Sequence, residues 1–144
     1  MPVWIQHIAV RGGSICRVKG ALDESLDPDQ IAGEYQIVVF DFEGVQRVTS
    51  FGVRQWVTGL KRLKADYYCF TNCHPAIVSQ FNTVARFGMN GELVSLYAPY
   101  ICNDCDKSTE FLIDLRSEQR QLDHSVVPER KCPNCGGVAS FDDA

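Results

Sequence analysis

Apolar positions fall in runs whose period changes along the chain. Val3 to Val10 is apolar and β-branched, and beyond Gly12-Gly13 the residues Cys16 and Val18 alternate with Arg17 and Lys19 up to Gly20. Two strand-like runs around a Gly-Gly pair predict a β-hairpin. Ala21 to Gly33 holds Asp27-Pro28-Asp29, an Asp cap before a proline, so any helix there is short and ended by Gly33. Tyr35 to Phe42 (YQIVVFDF) is a continuous apolar run of strand length, the pattern of a central strand covered on both faces. The period then becomes helical. After the cap candidates Thr49 and Ser50, the residues Val53, Trp56, Val57, Leu60 and Leu63 form one face, while Arg54, Gln55, Thr58, Lys61 and Arg62 form the other. Tyr67 to Phe70 is a second buried strand. Pro75 opens another helix with Ile77, Phe81 and Val84 in a stripe and Gly88 as its stop, and Leu93 to Ala98 is a last strand. Strand–helix–strand units with right-handed crossovers imply parallel pairing, with helices packed on the sheet.

Charge divides the chain where this pattern ends. Met1 to Ala98 carries nine basic and nine acidic residues, whereas Pro99 to Ala144 carries five and nine, so the whole net charge of −4 belongs to the tail. The first cysteine pair begins at the same place. These changes set a boundary between 1–98 and 99–144, with no flexible linker at Ala98-Pro99-Tyr100. In 144 residues, 45% hydrophobic, there is enough apolar material for a core. No apolar stretch approaches the roughly 18 residues of a spanning helix. MPVWIQHIAV lacks the basic start and small-residue cleavage site of a signal peptide. Seven cysteines, an odd number without an export signal, do not form a disulfide framework, and the expected compartment is cytoplasmic.

The segment Ile37 to Leu60 has a distinctive shape: a buried strand ending in an acidic residue, a loop, Thr49-Ser50-x-Gly52, and an amphipathic helix at once. It resembles the STAS family, found in anti-sigma-factor antagonists and the cytoplasmic tails of sulfate transporters, and the resemblance extends over roughly Met1 to Ala98. It implies an α/β fold, a STAS-like mixed sheet with helices on one side, and docking on a partner protein such as a kinase-like anti-sigma factor. Many members switch partners when the hydroxyl residue just before the motif glycine is phosphorylated. The matching position here is Phe51, which has no hydroxyl, so the switch is absent or moved to Ser50 while the docking surface remains.

Residue chemistry leaves roles open at this corner. Thr49 and Ser50 fit helix capping or partner contact. Gly52 fits close helix–sheet packing or an unusual turn. Phe51 fits either the core or an interface anchor. Arg54, Lys61, Arg62 and Lys64 fit a solvated face or binding to an acidic partner.

The tail has its own chemistry. Cys102-x-x-Cys105 and Cys132-Pro-x-Cys135-Gly-Gly are two knuckles separated by 26 residues. Two residues between thiolates let both sulfurs reach one ion from a tight turn, and four thiolates give a closed, structural zinc site. The pattern resembles a small C-terminal zinc ribbon, with Glu110 to Arg116 as a strand, Val138 to Phe141 as its partner, and SEQRQLDHSVVPERK as a loop. His124 is an alternative ligand. His7 and His74 read as structural, and Cys16, Cys69 and Cys73 as buried thiols.

Without a nucleophile–base pair, a carboxylate dyad or a phosphate-binding glycine loop, catalysis is not expected. The leading expectation is a non-enzymatic regulatory, protein-binding module of anti-sigma-factor-antagonist type with structural zinc. The alternatives are a nucleic-acid adaptor acting through the ribbon, and a C-x-x-C thiol oxidoreductase. Nucleic acid is disfavoured by the acidic tail, because such binding leaves a basic footprint. Thiol exchange is disfavoured by Asp104 and Asp106 beside the first pair.

Overall fold

The computed structural model describes residues 3–118 and 127–142. β1 (Trp4–Val10) and β2 (Gly13–Leu22) form the expected hairpin, with Val10 opposite Gly13. One 3-10 turn, Pro28–Gln30, follows. Its cap Asp27 accepts from the Asp29 amide at 2.9 Å. β3 (Gly33–Val48), α1 (Ser50–Lys61), β4 (Leu63–Thr71), α2 (Pro75–Thr83) and β5 (Glu92–Leu93) complete a mixed sheet ordered β1-β2-β3-β4-β5. Its first pair is antiparallel and the rest are parallel.

The core lies on one face of this sheet. Trp56 of α1 sits edge-on to Phe40 and Phe42, at 5.0 and 5.2 Å between ring centroids, and its buried indole N–H donates to the Phe87 carbonyl at 2.8 Å. Phe81 of α2 meets Phe70 at 5.0 Å, so both helices cover the same face. This corrects the expectation that the YQIVVFDF strand is covered twice. Val38, Phe40 and Phe42 are buried, but Ile37 just before them is 45% exposed, and Trp4, Val10 and Tyr67 are exposed too. A continuous apolar run therefore marks a strand with one dry face and one half-open face.

Two helix-level expectations also change. α2 ends at Thr83, five residues before Gly88, because Val84 turns extended and lets Phe87 fold back under Trp56 and Phe81. Burial of one large ring overrides the continuing helical pattern. The strand expected over Leu93–Ala98 breaks at Val94, whose amide donates to the Phe70 carbonyl and whose carbonyl accepts from the Leu115 amide.

Beyond that break, β6 (Ser95–Cys102), β7 (Ser108–Asp114), β8 (Arg130–Lys131) and β9 (Val138–Phe141) form an antiparallel sheet ordered β7-β6-β9-β8. β9 pairs with β6 rather than with β7, since β6 occupies the middle of the sheet. Arg130 and Lys131, expected in the loop, form β8, whereas His124 and residues 119–126 of that loop lie outside the described residues. The point between residues 98 and 99 falls within β6, which carries the chain from one sheet to the other. No helix among the described residues is long and apolar enough to cross a membrane.

The sheets are tied by polar contacts. His74, buried at the start of α2, places Nδ1 2.9 Å from Glu110 Oε1 of β7 and Nε2 2.7 Å from the Glu43 carbonyl of β3. Its ring stacks on Tyr97 at 4.5 Å. Arg116, past β7, reaches Glu92 of β5 and the Tyr67 hydroxyl of β4.

Candidate functional site

Four cysteines converge at the far end of the second sheet. β6 delivers Cys102 and the turn after it delivers Cys105; Cys132 follows β8, and Cys135 lies in the turn before β9. Their sulfurs all lie within 4.8 Å of one another, with Cys102 and Cys135 at 3.5 Å and Cys105 and Cys132 at 3.8 Å. A disulfide would hold two sulfurs at about 2.05 Å. All seven cysteines are free.

The two turns are built alike. In each, the first cysteine's amide donates to the carbonyl five residues on (Cys102 to Lys107, Cys132 to Gly137), and its carbonyl accepts from the amide four residues on (Asp106 and Gly136). That fourth position has positive φ in both: 60° at Asp106 and 79° at Gly136. Asp tolerates the left-handed region and Gly favours it, so the second turn is the better built. Backbone amides then point at sulfur. Those of Asp104 and Cys105 donate to Cys102, and that of Gly137 to Cys135, each at 3.4 Å. Between the turns, the Asn134 side chain donates to Cys105 at 3.5 Å.

Electrostatics couple the thiols of the cluster. The Lys107 amide and the Asn134 side chain hold the Cys105 thiol down to about 6. The Gly137 amide acts to lower Cys135 as well, but Cys102, burial, Cys105 and Cys132 outweigh it and push that thiol up to about 12. A second thiolate is resisted beside the first until a positive charge sits among them. The four cysteines can therefore hold a metal ion, and with four protein ligands the shell is closed. The other thiols are inert: burial raises Cys69, and it pushes Cys16 and Cys73 up to about 12.

The second candidate site is the corner where β3 enters α1. Thr49 is the cap, its hydroxyl accepting from the Gly52 amide at 3.1 Å while its own amide donates to the Leu22 carbonyl. Gly52 is buried, and a Cβ there would stand 1.9 Å from that same carbonyl oxygen. Thr49 and Gly52 thus turn inward, as structure. Ser50, Phe51 and Arg54 face out together: Phe51 is 60% exposed, and the Arg54 guanidinium lies 5.9 Å from its ring centroid. Arg62 pairs with Asp29, and Arg54 and Lys61 extend along the outer face of α1.

The Phe51 patch continues into a groove that the sequence pattern concealed. Val53 and Val57 are half-buried and, with Val84, line its floor; Arg86 joins its wall. Arg86 is distant in sequence and sits where the periodicity continued α2, so only the early stop at Thr83 brings it beside α1. Compared with protein-family models, curated proteins and solved structures, the chain matches none.

Proposed function

We propose that this chain is a non-enzymatic regulatory module that docks on another protein through the exposed corner Ser50–Phe51–Arg54, with its second sheet fixed by structural zinc. The observation that carries the docking reading is Phe51. A large aromatic ring 60% in water, beside a half-buried cap and a glycine jammed against Leu22, is a rigid anchor held out at little entropic cost. Its place at the start of a strand-to-helix corner is consistent with the STAS-like segment Ile37 to Leu60 and with a kinase-like signalling partner. Ser50, exposed at the first helical position, is the hydroxyl open to phosphorylation. A phosphate there would set about two negative charges beside Arg54 and alter docking.

Zinc is favoured by ligand type and by spacing. Bonds of about 2.3 Å to four tetrahedral thiolates separate the sulfurs by about 3.8 Å; two pairs stand at 3.5 and 3.8 Å and all four sulfurs lie within 4.8 Å. Neither C-x-x-C pair opens a helix, the setting in which a thiol is tuned for exchange.

Two measurements test these readings. Purified protein should contain one zinc per chain, and Cys132→Ser should lose it; full metal retention in that variant contradicts the site. Phe51→Asp should fold normally and lose its protein partners in capture from native cells, and an unchanged set of captured proteins would place docking elsewhere.

A further inference from the structure

The groove beside Phe51 specifies the partner's chemistry, and the inference rests on reading the corner as a docking face. It runs the length of α1 and is lined by Ser50, Arg54 and Lys61 on the helix and by Val84, Ala85 and Arg86 across from it, with Val53 and Val57 beneath. Three cations line it and no carboxylate does. Among the described residues, the ion pairs engage other side chains: Arg17, Arg62, His74, Arg116 and Arg130 are the basic partners. Arg54, Lys61 and Arg86 are exposed and enter none of these pairs. Without these three, residues 1–98 carry six basic and nine acidic residues and residues 99–144 five and nine, so the rest of the molecule is acidic.

An apolar floor with a cationic rim selects an occupant of matching pattern. α1 has 12 residues, a length of roughly 18 Å, or about three helical turns. Helix and loop form the walls, so the groove offers no free strand edge for an extended peptide to join, and contact must come from side chains. We infer that the groove receives an acidic amphipathic helix of a partner protein: apolar residues at i, i+3, i+4 and i+7 lie on Val53, Val57 and Val84, while flanking Asp or Glu meet Arg54, Lys61 and Arg86. RNA, the other polyanion, would leave the valine floor unused.

Selection from a displayed library of random peptides about four helical turns long tests this on the intact chain. Enriched sequences should carry an apolar helical stripe flanked by Asp and Glu. Arg86→Glu should weaken the selected peptide about tenfold, Arg86→Lys should retain it, and replacing the peptide's Glu by Lys should restore binding to Arg86→Glu. Salt should weaken the wild-type pair. Basic or charge-neutral winners, no enrichment, indifference to Arg86→Glu, or displacement of the peptide by single-stranded RNA would overturn the inference. Arg86 lies outside the Ser50–Arg54 corner. If Phe51→Asp abolishes capture of the cellular partner and Arg86→Glu does not, the docking face stands and its acidic-helix occupant falls.

Discussion

Gly52 and Phe51 are adjacent and do opposite work. A methyl group at Gly52 would collide with the Leu22 carbonyl, a backbone atom held by the Thr49 amide, so relief requires α1 to move off the sheet. Gly52→Ala should therefore cost about 2–3 kcal/mol, as overpacking does, in urea unfolding. Phe51→Ala removes a ring already in water and should change stability by less than about 0.5 kcal/mol. Equal effects at the two positions would show that the corner is not divided into an inner support and an outer anchor. Thr49 belongs with the support, since its hydroxyl fills a cap worth about 1 kcal/mol. From sequence these residues formed one undivided motif. What each one faces is decided by Leu22, nearly thirty residues earlier, and no local pattern reports that.

Elements whose signals are local are legible in the sequence, whereas those set by distant contacts are not. The hairpin, the capped turn at Pro28, α1 and the start of α2 follow from spacing, Gly-Gly, proline and cap residues, and the structure contains all of them. α2 stops short of Gly88 because Phe87 is drawn into the core by the rings of Trp56 on α1 and Phe81 on α2. Trp56 secures that fold-back through its bond to the Phe87 carbonyl. Trp56→Phe keeps most of the ring volume and leaves the carbonyl unpaired. It should cost about 1–3 kcal/mol and raise amide exchange between Val84 and Gly91 more than in β2. Uniform exchange along the chain would mean that the indole bond does not hold the loop. The pairing of β9 with β6 was equally hidden, because alternation reveals that a strand exists but not its neighbour. The four-cysteine cluster is legible for the reverse reason. C-x-x-C is a local pattern that needs only two turns to meet, whereas Arg86 in the groove depends on where a helix ends.

Across the whole molecule, β6 makes the two sheets one mechanical unit. Its first residues bridge to Cys73 and its last, Cys102, belongs to the four-cysteine cluster. His74, Tyr97 and Arg116 add cross-links, and Glu43 and Glu92 anchor them. The Glu43 carboxylate accepts from the Tyr97 hydroxyl, whose ionisation it pushes up to about 12, and Arg116 followed by Tyr67 holds Glu92 below its ordinary value. A carboxylate with a lowered folded-state value stabilises above the usual Glu range, and that contribution fades as pH falls through the lowered value. Glu92→Gln should accordingly flatten the acid limb of the stability curve, and an unchanged limb would remove Arg116–Glu92 from the coupling. Metal removal should be felt beyond the cysteines. A chelator or Cys132→Ser should lower Tm by about 10 °C or more, since structural zinc contributes several kcal/mol and ~1 kcal/mol moves Tm by a few degrees at this size. Loss confined to the second sheet, with Trp56 fluorescence melting as before, would show the halves to be independent.

The docking claim is tested most directly by a photoreactive phenylalanine at position 51, irradiated in the native cell, with the same probe at Trp4 on the opposite sheet face as reference. One dominant protein adduct is expected at position 51, lost with Arg54→Glu and absent from position 4. No adduct at position 51, or the same adducts from both positions, would contradict it.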